Sequence, residues 1–297
     1  MSGILITNLI QNFLDEIESV KRYSDNTVAS YKKDLQQFEN FISERNIESV
    51  LQISEKTIRS YLIHLNQQGI SKSSISRKLS SLRSFFDFVI QEVDSAMNPA
   101  KKIKNPKYKR KLPGTINLDS FYKIITLLNE DDDLFRRSLN TAIFELLYGC
   151  SLRVSELCSL KIHDVNLANH TVKVLGKGSK HRIVPLGEKS AGVITTYLNQ
   201  RKEVESQNFF LTKDGNSIDR WYVYRIVKKY LSKVTDIEKK SPHILRHSSA
   251  TEMLNRGADL LAVKEILGHE NLSTTQIYTH VSVEQLKKSY KSAHPKS

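Results

Sequence analysis

The chain has 297 residues, with 45 Lys and Arg against 32 Asp and Glu, so its formal net charge is +13. Such a basic balance indicates an anionic partner. The content of 39% hydrophobic and 26% charged residues, with 11 Gly and 6 Pro, excludes a disordered or collagen-like chain. At roughly 150 residues per domain, this length predicts two domains, each with its own hydrophobic core.

Four stretches in the first hundred residues repeat apolar side chains at helical spacing. They cover residues 5–20, 28–42, 58–65 and 75–89. Ser24 and Ser54 precede the second and third stretches as candidate N-caps, and Gly69 is a stop signal after the third. The sequence therefore predicts an N-terminal helical bundle over residues 1–105.

A basic run, KKIKNPKYKRKLP, occupies residues 101–113. It has seven Lys or Arg in its first eleven positions, no acidic residue and two prolines, which interrupt a helix. We place a linker at residues 106–113, between domains 1–105 and 114–297. A solvated linker is the ordinary interpretation of such a run, but the net charge of +13 favours a linker that follows a phosphate backbone.

The second domain is mainly helical in pattern, with one interruption. Helical periodicity covers residues 121–128, 134–148 and 218–231, and short elements follow from residue 242. Between them, TVKVLGKGSKHRIVPL, residues 171–186, alternates apolar and polar residues on both sides of Gly176 and Gly178, which predicts a β-hairpin. The fold class is therefore mainly α, with a small β-sheet in the larger domain. The predicted hairpin tip presents Lys177, Lys180, His181 and Arg182.

Two features indicate the compartment. Cys150 and Cys158 lie in a helical pattern and are too few for a zinc site or a disulfide framework, so we expect a reducing environment. The N-terminal segment has no cationic leader, and polar residues interrupt its apolar ones, unlike a signal peptide or a membrane span. The sequence predicts a cytoplasmic protein without a membrane partner.

Residues 241–247, SPHILRH, have the pattern of an anion site at a helix N-terminus. Ser241 is a candidate N-cap, a proline follows at the first helical position, and His243 and Arg246 share one face. Helix amides and these two side chains could bind a phosphate; a solubilising surface helix is an equally good interpretation of the segment alone. His243 and His247 have zinc-motif spacing, but Ile244 stands where a metalloprotease needs Glu, so no metal is expected.

The other candidate site residues indicate a function only when they are considered together. Arg153 stands before a new helix with Glu156 one turn later, which singly is an ordinary intrahelical ion pair. His269 follows a helix stop at Gly268, and Tyr278 lies on a short helix after it. A lone His or Tyr is more often structural than catalytic.

Together, the segments RVSEL, LGKGSKHRIVPLG, HILRHSSAT and LGHENLSTTQIYTHV resemble, in this order and spacing, the signatures of the tyrosine recombinases, and most closely the bacterial Xer site-specific recombinases. The resemblance covers essentially the whole chain. It implies a SAM-like core-binding N-terminal bundle and a catalytic domain with the tyrosine recombinase fold, which together form a C-shaped clamp around DNA. Ser151 stands where Gly is usual in the family, so the turn before Arg153 is expected to differ.

The resemblance implies six catalytic residues: Arg153, Lys177, His243, Arg246, His269 and Tyr278. The tyrosine would be the nucleophile that forms a 3′-phosphotyrosyl link and frees a 5′-hydroxyl. The two arginines would bind the non-bridging oxygens, the lysine would protonate the leaving oxygen, and the histidines would assist. Supporting residues would be Glu156 and His247. Further DNA contacts are expected from Lys72, Arg77, Lys78, Lys107, Lys109, Arg110, Lys180 and Arg182.

By resemblance, the function is site-specific recombination through a Holliday junction, with Xer-type resolution of chromosome dimers as the expected role. The expected partners are a double-stranded recombination site and a homotetramer, or a heterotetramer with a Xer paralogue, in which the C-terminal helix, residues 283–290, docks on a neighbour. A cell-division DNA translocase is a further candidate partner. The sequence has no Walker A motif and no carboxylate cluster suited to Mg²⁺, and a covalent intermediate conserves the phosphodiester energy, so no cofactor is expected.

Three alternatives stay open from the sequence. An integrase of a mobile element would use the same chemistry, and a type IB topoisomerase would share the nucleophile without synapsis. The third is a non-catalytic architectural DNA-binding protein.

The implied role of Lys177 gives a first prediction. Lys177→Ala should be rescued by a substrate whose 5′-bridging oxygen is replaced by sulfur, because a thiolate leaves without protonation. Arg153→Ala should not be rescued, because the missing contact still raises the activation free energy by about 3 kcal/mol. The measurement is covalent adduct formed on each substrate, and equal failure of both variants would remove Lys177 from the acid role.

Overall fold

The computed structural model describes residues 5–21, 23–94, 96–107, 114–176, 181–201, 205–268 and 293. The chain divides into two compact units, Met1–Lys111 and Leu112–Ser297. A bilayer-spanning helix is not found in these ranges, since each of their helices is too short or too polar.

Unit 1 is the predicted helical bundle. Its helices are α1 (Ile6–Asp15), α2 (Asp25–Ser43), α3 (Glu55–Gln67) and α4 (Lys72–Glu92), with a π-helical turn after α1 and a short 3₁₀ turn before α3. The Ser54 hydroxyl accepts a hydrogen bond from the Thr57 amide, as an N-cap should. Ser24 occupies the N-cap position of α2, but its side chain makes no capping hydrogen bond. The apolar faces meet in one core that includes Phe13, Phe38, Tyr61, Phe85 and Phe86.

A buried ion cluster joins α2 to α4 inside this bundle. The Asp34 carboxylate accepts hydrogen bonds from Lys78 Nζ at 2.8 Å and Ser81 Oγ at 2.9 Å, and Arg77 also donates to it. Asp34 and Lys78 are almost fully buried. The prediction that Lys78 faces DNA is therefore wrong, because its ammonium is buried and paired with Asp34.

Unit 2 is built around α6 (Leu134–Tyr148), in which every residue from Ser138 to Tyr148 is buried. Around it lie α5 (Leu118–Asn129), α7 (Val154–Ser159), α8 (Glu188–Gln200), α9 (Arg220–Val234), α10 (Pro242–Asn255) and α11 (Leu260–Leu267). The periodicity of α8 was not among the predicted elements. Both cysteines are free thiols, Cys150 buried and Cys158 half-buried.

The predicted hairpin is present and gains a third strand. The sheet has the order β1 (Val165–Asn166), β2 (Thr171–Leu175), β3 (His181–Pro185), and both pairs are antiparallel. Val172 lies opposite Val184, and Val174 lies opposite Arg182. Because alternate residues of a strand share one face, all four side chains lie on the inner face of the sheet. The strands that flank residues 177–180 are thus anchored to the core of unit 2.

The ion cluster of unit 1 generates a stability prediction. Asp34→Ala should destabilise this unit by about 3–5 kcal/mol, because it leaves the Lys78 ammonium buried without an anion. Asp25→Ala, at an exposed position in the same helix, should change stability little. Hydrogen exchange of α2 and α4 amides in the full chain measures both effects. Equal protection in the two variants would contradict the prediction.

Candidate active site

The site begins where the chain leaves α6. Ser151 has φ of 51°, in the left-handed region that favours glycine. Its buried hydroxyl and that of Ser249 on α10 are hydrogen-bonded at 2.9 Å, which helps to hold the turn. The turn therefore takes a conformation suited to glycine although a serine occupies it, and Arg153 follows at the N-cap of α7.

Glu156 on α7 is the centre of the site. Its carboxylate accepts two hydrogen bonds from Arg182, at 2.6 and 2.9 Å, and one from Arg153 Nη1 at 2.7 Å. The Arg153 amide also donates to it at 2.8 Å, and Arg246 Nη1 lies 3.7 Å away. Three guanidinium groups thus surround one carboxylate, so that among the described residues of the cluster positive charges exceed negative ones by two.

The electrostatics of Glu156 keep it ionised. Burial of the side chain raises its pKa, but the hydrogen bonds and positive charge of Arg182, with the bonds from Arg153, lower it more. The net result is a pKa below the ordinary glutamate value. The carboxylate is therefore an anion at neutral pH, and its ionic contribution is lost only in acid, as the pH falls through this lowered value.

The same three arginines also bind the C-terminal end of α11. Arg182 Nε donates to the Ile266 carbonyl at 2.9 Å, Arg246 Nη2 donates to the Leu267 carbonyl, and Arg153 Nη2 donates to the Gly268 carbonyl at 2.8 Å. These carbonyls belong to the last turn of the helix, where intrahelical partners are missing and the dipole is negative. Each arginine consequently bridges Glu156 and the end of α11.

Arg246 and His243 reach the site from the first turns of α10. Arg246 is buried and also donates to the Ser151 carbonyl at 2.5 Å. Burial and the neighbouring charge of Arg153 lower the pKa of Arg246 to about 9, although Glu156 opposes this shift. Partial desolvation, then the charges of Arg246 and Arg153, lower the pKa of the exposed His243 below its ordinary value. Desolvation is the largest cause of both shifts, and the charges of the neighbouring arginines act in the same direction.

The structure thus brings together Arg153, Glu156, His243 and Arg246 of the predicted site, with His247 exposed on the next turn of α10. Ser241 is at the N-cap of α10 but makes no side-chain capping bond. Lys72, Arg77 and Lys107 are exposed. Other predicted residues lie outside the described ranges: Lys109, Arg110, Lys177, Lys180, His269, Tyr278 and the helix over 283–290. In the described ranges, no group of three or more His, Cys, Asp or Glu is arranged to hold a metal ion.

Arg182 is the residue whose place differs most from the prediction. Its side chain is 8% exposed and lies inside the cluster, instead of projecting from a hairpin tip toward solvent. The strand alternation held a signal for this, because Arg182 is two residues before Val184 and therefore shares its inward face. The carbonyl contacts at the end of α11 had no signal in the sequence.

Comparisons with known proteins agree with this geometry. The profile of the Phage integrase family matches residues 120–285, and that of the Phage integrase N-terminal SAM-like domain matches residues 10–93. Tyrosine recombinase XerD of Staphylococcus epidermidis (strain ATCC 12228 / FDA PCI 1200) is 38% identical over 299 residues, covering 98% of this chain and 100% of that protein. XerD of Staphylococcus aureus (strain N315) is 38% identical over 295 residues, covering 97% and 99%. The chain belongs to the phage integrase family of tyrosine recombinases.

Two solved structures share the fold. The XerH recombinase bound to palindromic difH substrate in a post-cleavage complex has a TM-score of 0.73 and 22% identity, covering 95% of this chain and 88% of that one. The Tn1549 transposon integrase in complex with transposon right end DNA has a TM-score of 0.74 and 18% identity, covering 95% and 98%. The predicted resemblance to Xer recombinases is confirmed, and this recombinase is an enzyme that cleaves and rejoins DNA.

The end of α11 generates a prediction for this recombinase. Gly268 has φ of +60°, and a Cβ there would lie 3.0 Å from Arg182 Cδ and 3.1 Å from its Nε. Gly268→Ala should therefore displace Arg182 and lower the rate of covalent adduct formation at saturating DNA, by about tenfold or more.

Gly257 provides the matched control, because it has φ of +83° but no atom within 4 Å of the added Cβ. Gly257→Ala should share the backbone strain, about 1 kcal/mol, and retain the wild-type rate. Equal rates for the two variants would show that the contact with Arg182 is unimportant.

Proposed function

We propose that this chain is a site-specific recombinase that cuts DNA with Tyr278 through a 3′-phosphotyrosyl intermediate and exchanges strands through a Holliday junction. The observation that carries the proposal is the cluster of three guanidinium groups around Glu156, in which the described residues have two more positive charges than negative ones. A site of this kind binds a phosphodiester, and its charge suits the dianionic pentacoordinate transition state better than the monoanionic ground state.

Arg153 and Arg246 are the proposed ligands of the non-bridging oxygens. Arg153 retains 29% exposure of its side chain beside the more deeply buried Arg246. Their planar donors suit two phosphate oxygens, and no metal or nucleotide is needed for charge neutralisation. His243 stands at the same edge and is neutral at pH 7, so its ring can accept a proton as well as donate a hydrogen bond. Lys177 as acid, and His269 as its partner in proton transfer, complete the proposed set.

Two exposed basic surfaces are proposed to contact the DNA on either side of the cut. In unit 1, a groove of about 720 Å³ between α2 and α4 is lined by Lys32, Lys33, Gln36 and Arg77. In unit 2, the exposed face of α9 carries Trp221, Arg225 and Lys228. Lys72 and the linker add further charge, and phosphate contacts of this kind supply sequence-independent affinity.

Resolution of chromosome dimers is the proposed cellular role. It is supported by the identity of 38% with XerD proteins over nearly the full length of both chains. The proposed assembly is a tetramer on two recombination sites, formed by this chain alone or with a Xer paralogue. A cell-division DNA translocase is proposed as an activating partner.

Replacement of the nucleophile tests the chemistry. The substrate is a nicked suicide duplex whose sequence is first selected by the protein from a random pool. Tyr278→Phe should abolish covalent protein–DNA adducts on this duplex. Binding should change little, because one hydroxyl contributes little among many phosphate contacts. Denaturing gels measure the adduct and gel shifts measure binding. An adduct that survives in this variant would place the nucleophile elsewhere.

Removal of divalent ions tests how the phosphate is activated. Adduct formation should proceed at the same rate in excess EDTA and without nucleotide, because guanidinium groups neutralise the transition state. Strict dependence on Mg²⁺ would contradict the proposal. Strand exchange between two marked duplexes, measured in the same buffer, would distinguish a recombinase from a topoisomerase.

A further inference from the structure

Arg182 is the arginine of the cluster that makes a bidentate contact with Glu156. Its three guanidinium nitrogens all have acceptors in the protein: Nη1 and Nη2 contact the two oxygens of Glu156 at 2.6 and 2.9 Å, and Nε contacts the Ile266 carbonyl at 2.9 Å. Its side chain is 8% exposed and that of Arg246 is 7% exposed, so what sets Arg182 apart is that both of its terminal nitrogens are held by the Glu156 carboxylate. The bidentate geometry fixes the plane of the carboxylate as well as its charge.

The position of Arg182 in the chain connects three parts of the site. It is the second residue of β3, the strand that follows residues 177–180, and it pairs across the sheet with Val174. Through Glu156 it reaches α7 and Arg153, and through Ile266 it reaches the end of α11. The side chain also packs beside Gly268, where an added Cβ would lie 3.0 Å from Arg182 Cδ.

We propose that Arg182 is a positioning residue for the recombination reaction: it holds Glu156 and the end of α11 so that Arg153 and Arg246 present their guanidinium groups to the phosphate. This inference rests on the proposed function. It differs from a DNA contact, because Arg182 acts on other side chains and not on the substrate. It also differs from a purely structural ion pair, because its loss changes the chemical step.

The expected effect falls on cleavage and not on binding. With Arg182 replaced, the carboxylate keeps the hydrogen bonds from the Arg153 amide and guanidinium but loses the bidentate contact that fixes its plane, so the Arg153 guanidinium is positioned less exactly. Misplacement of a phosphate ligand by about 1 Å is enough to lower a rate by about a hundredfold. The number of phosphate contacts stays the same, so affinity and its salt dependence should not change.

The experiment measures single-turnover adduct formation at saturating concentrations of the selected suicide duplex, together with the Kd at several salt concentrations. Arg182→Gln should form adduct at least about tenfold more slowly, with a Kd within about twofold of wild type and an unchanged salt slope. Arg182→Lys retains the charge but not the bidentate geometry, so its rate of adduct formation should lie between those of wild type and Arg182→Gln. Arg136→Gln is the matched control, since it breaks the exposed bidentate pair with Asp131 in the same unit and should leave the rate unchanged.

A double-mutant cycle separates the remaining explanations. If Arg182 acts through Arg153, the rate losses of Arg182→Gln and Arg153→Ala should be less than additive when combined. Additive losses, a weaker Kd with a salt slope reduced by about one contact, or an unchanged rate would each overturn the inference. So would restoration of the rate by a 5′-bridging sulfur substrate, which would place the effect on the leaving group.

The melting temperature of each variant is measured to show that it is folded. If the Gln variant does not fold, the Arg182→Lys variant takes its place. Failure of the proposed function gives a different result, because the wild-type protein itself would then form no adduct. Adduct from wild type with any of the overturning results for Arg182 rejects this inference alone.

Discussion

A single buried carboxylate, Glu156, is the group on which the described part of the site depends. Three guanidinium groups from three different elements would repel one another at this distance without it. Their burial makes the pairing costly to break, since a charge left alone in such a place destabilises a protein by about 3–5 kcal/mol. The carboxylate therefore holds α7, β3 and α10 in one arrangement, and the arginines extend the arrangement to α11.

The rest of unit 2 explains why these elements meet. The buried helix α6 packs against α8 and α10, and the chain turns from its end into α7. Arg153 is the N-cap of α7 and Arg246 is the fifth residue of α10, and each donates to a carbonyl group at the C-terminal end of α11. Burial of the apolar core offsets the free-energy cost of desolvating the polar groups at its edge. Among the described residues this gives a set of donors with excess positive charge, which we propose binds phosphate.

Much of this arrangement could be predicted from the sequence. The apolar periodicity predicted the four helices of unit 1, α5, α6, α9 and the hairpin, because each buries a continuous face. The helix α8 is not predicted, because it begins after Gly187, which has no side chain to act as a cap, and because its apolar residues are separated by Thr, Ser and Gly. The two-residue strand β1 is too short to show an alternating pattern.

The places of single charged residues could not be predicted in the same way. Lys78 and Arg182 were both expected to face DNA, and both are buried against a carboxylate. Their partners Asp34 and Glu156 are 44 and 26 positions away in the sequence, so only the tertiary fold brings them together. A charged side chain is ordinarily a sign of exposure, and a buried pair is the exception that sequence periodicity alone does not identify.

The most direct test of this account is the replacement Glu156→Gln, which keeps the shape of the side chain and removes its charge. The account predicts that adduct formation at saturating DNA slows by at least about tenfold, while the duplex is still bound, because the arginines lose their common anion. Glu252→Gln is the control, since it removes a carboxylate that pairs with Arg256 on the surface of α10. Adduct formation by Glu156→Gln at the rate of this control and of wild type would contradict the central role of the carboxylate.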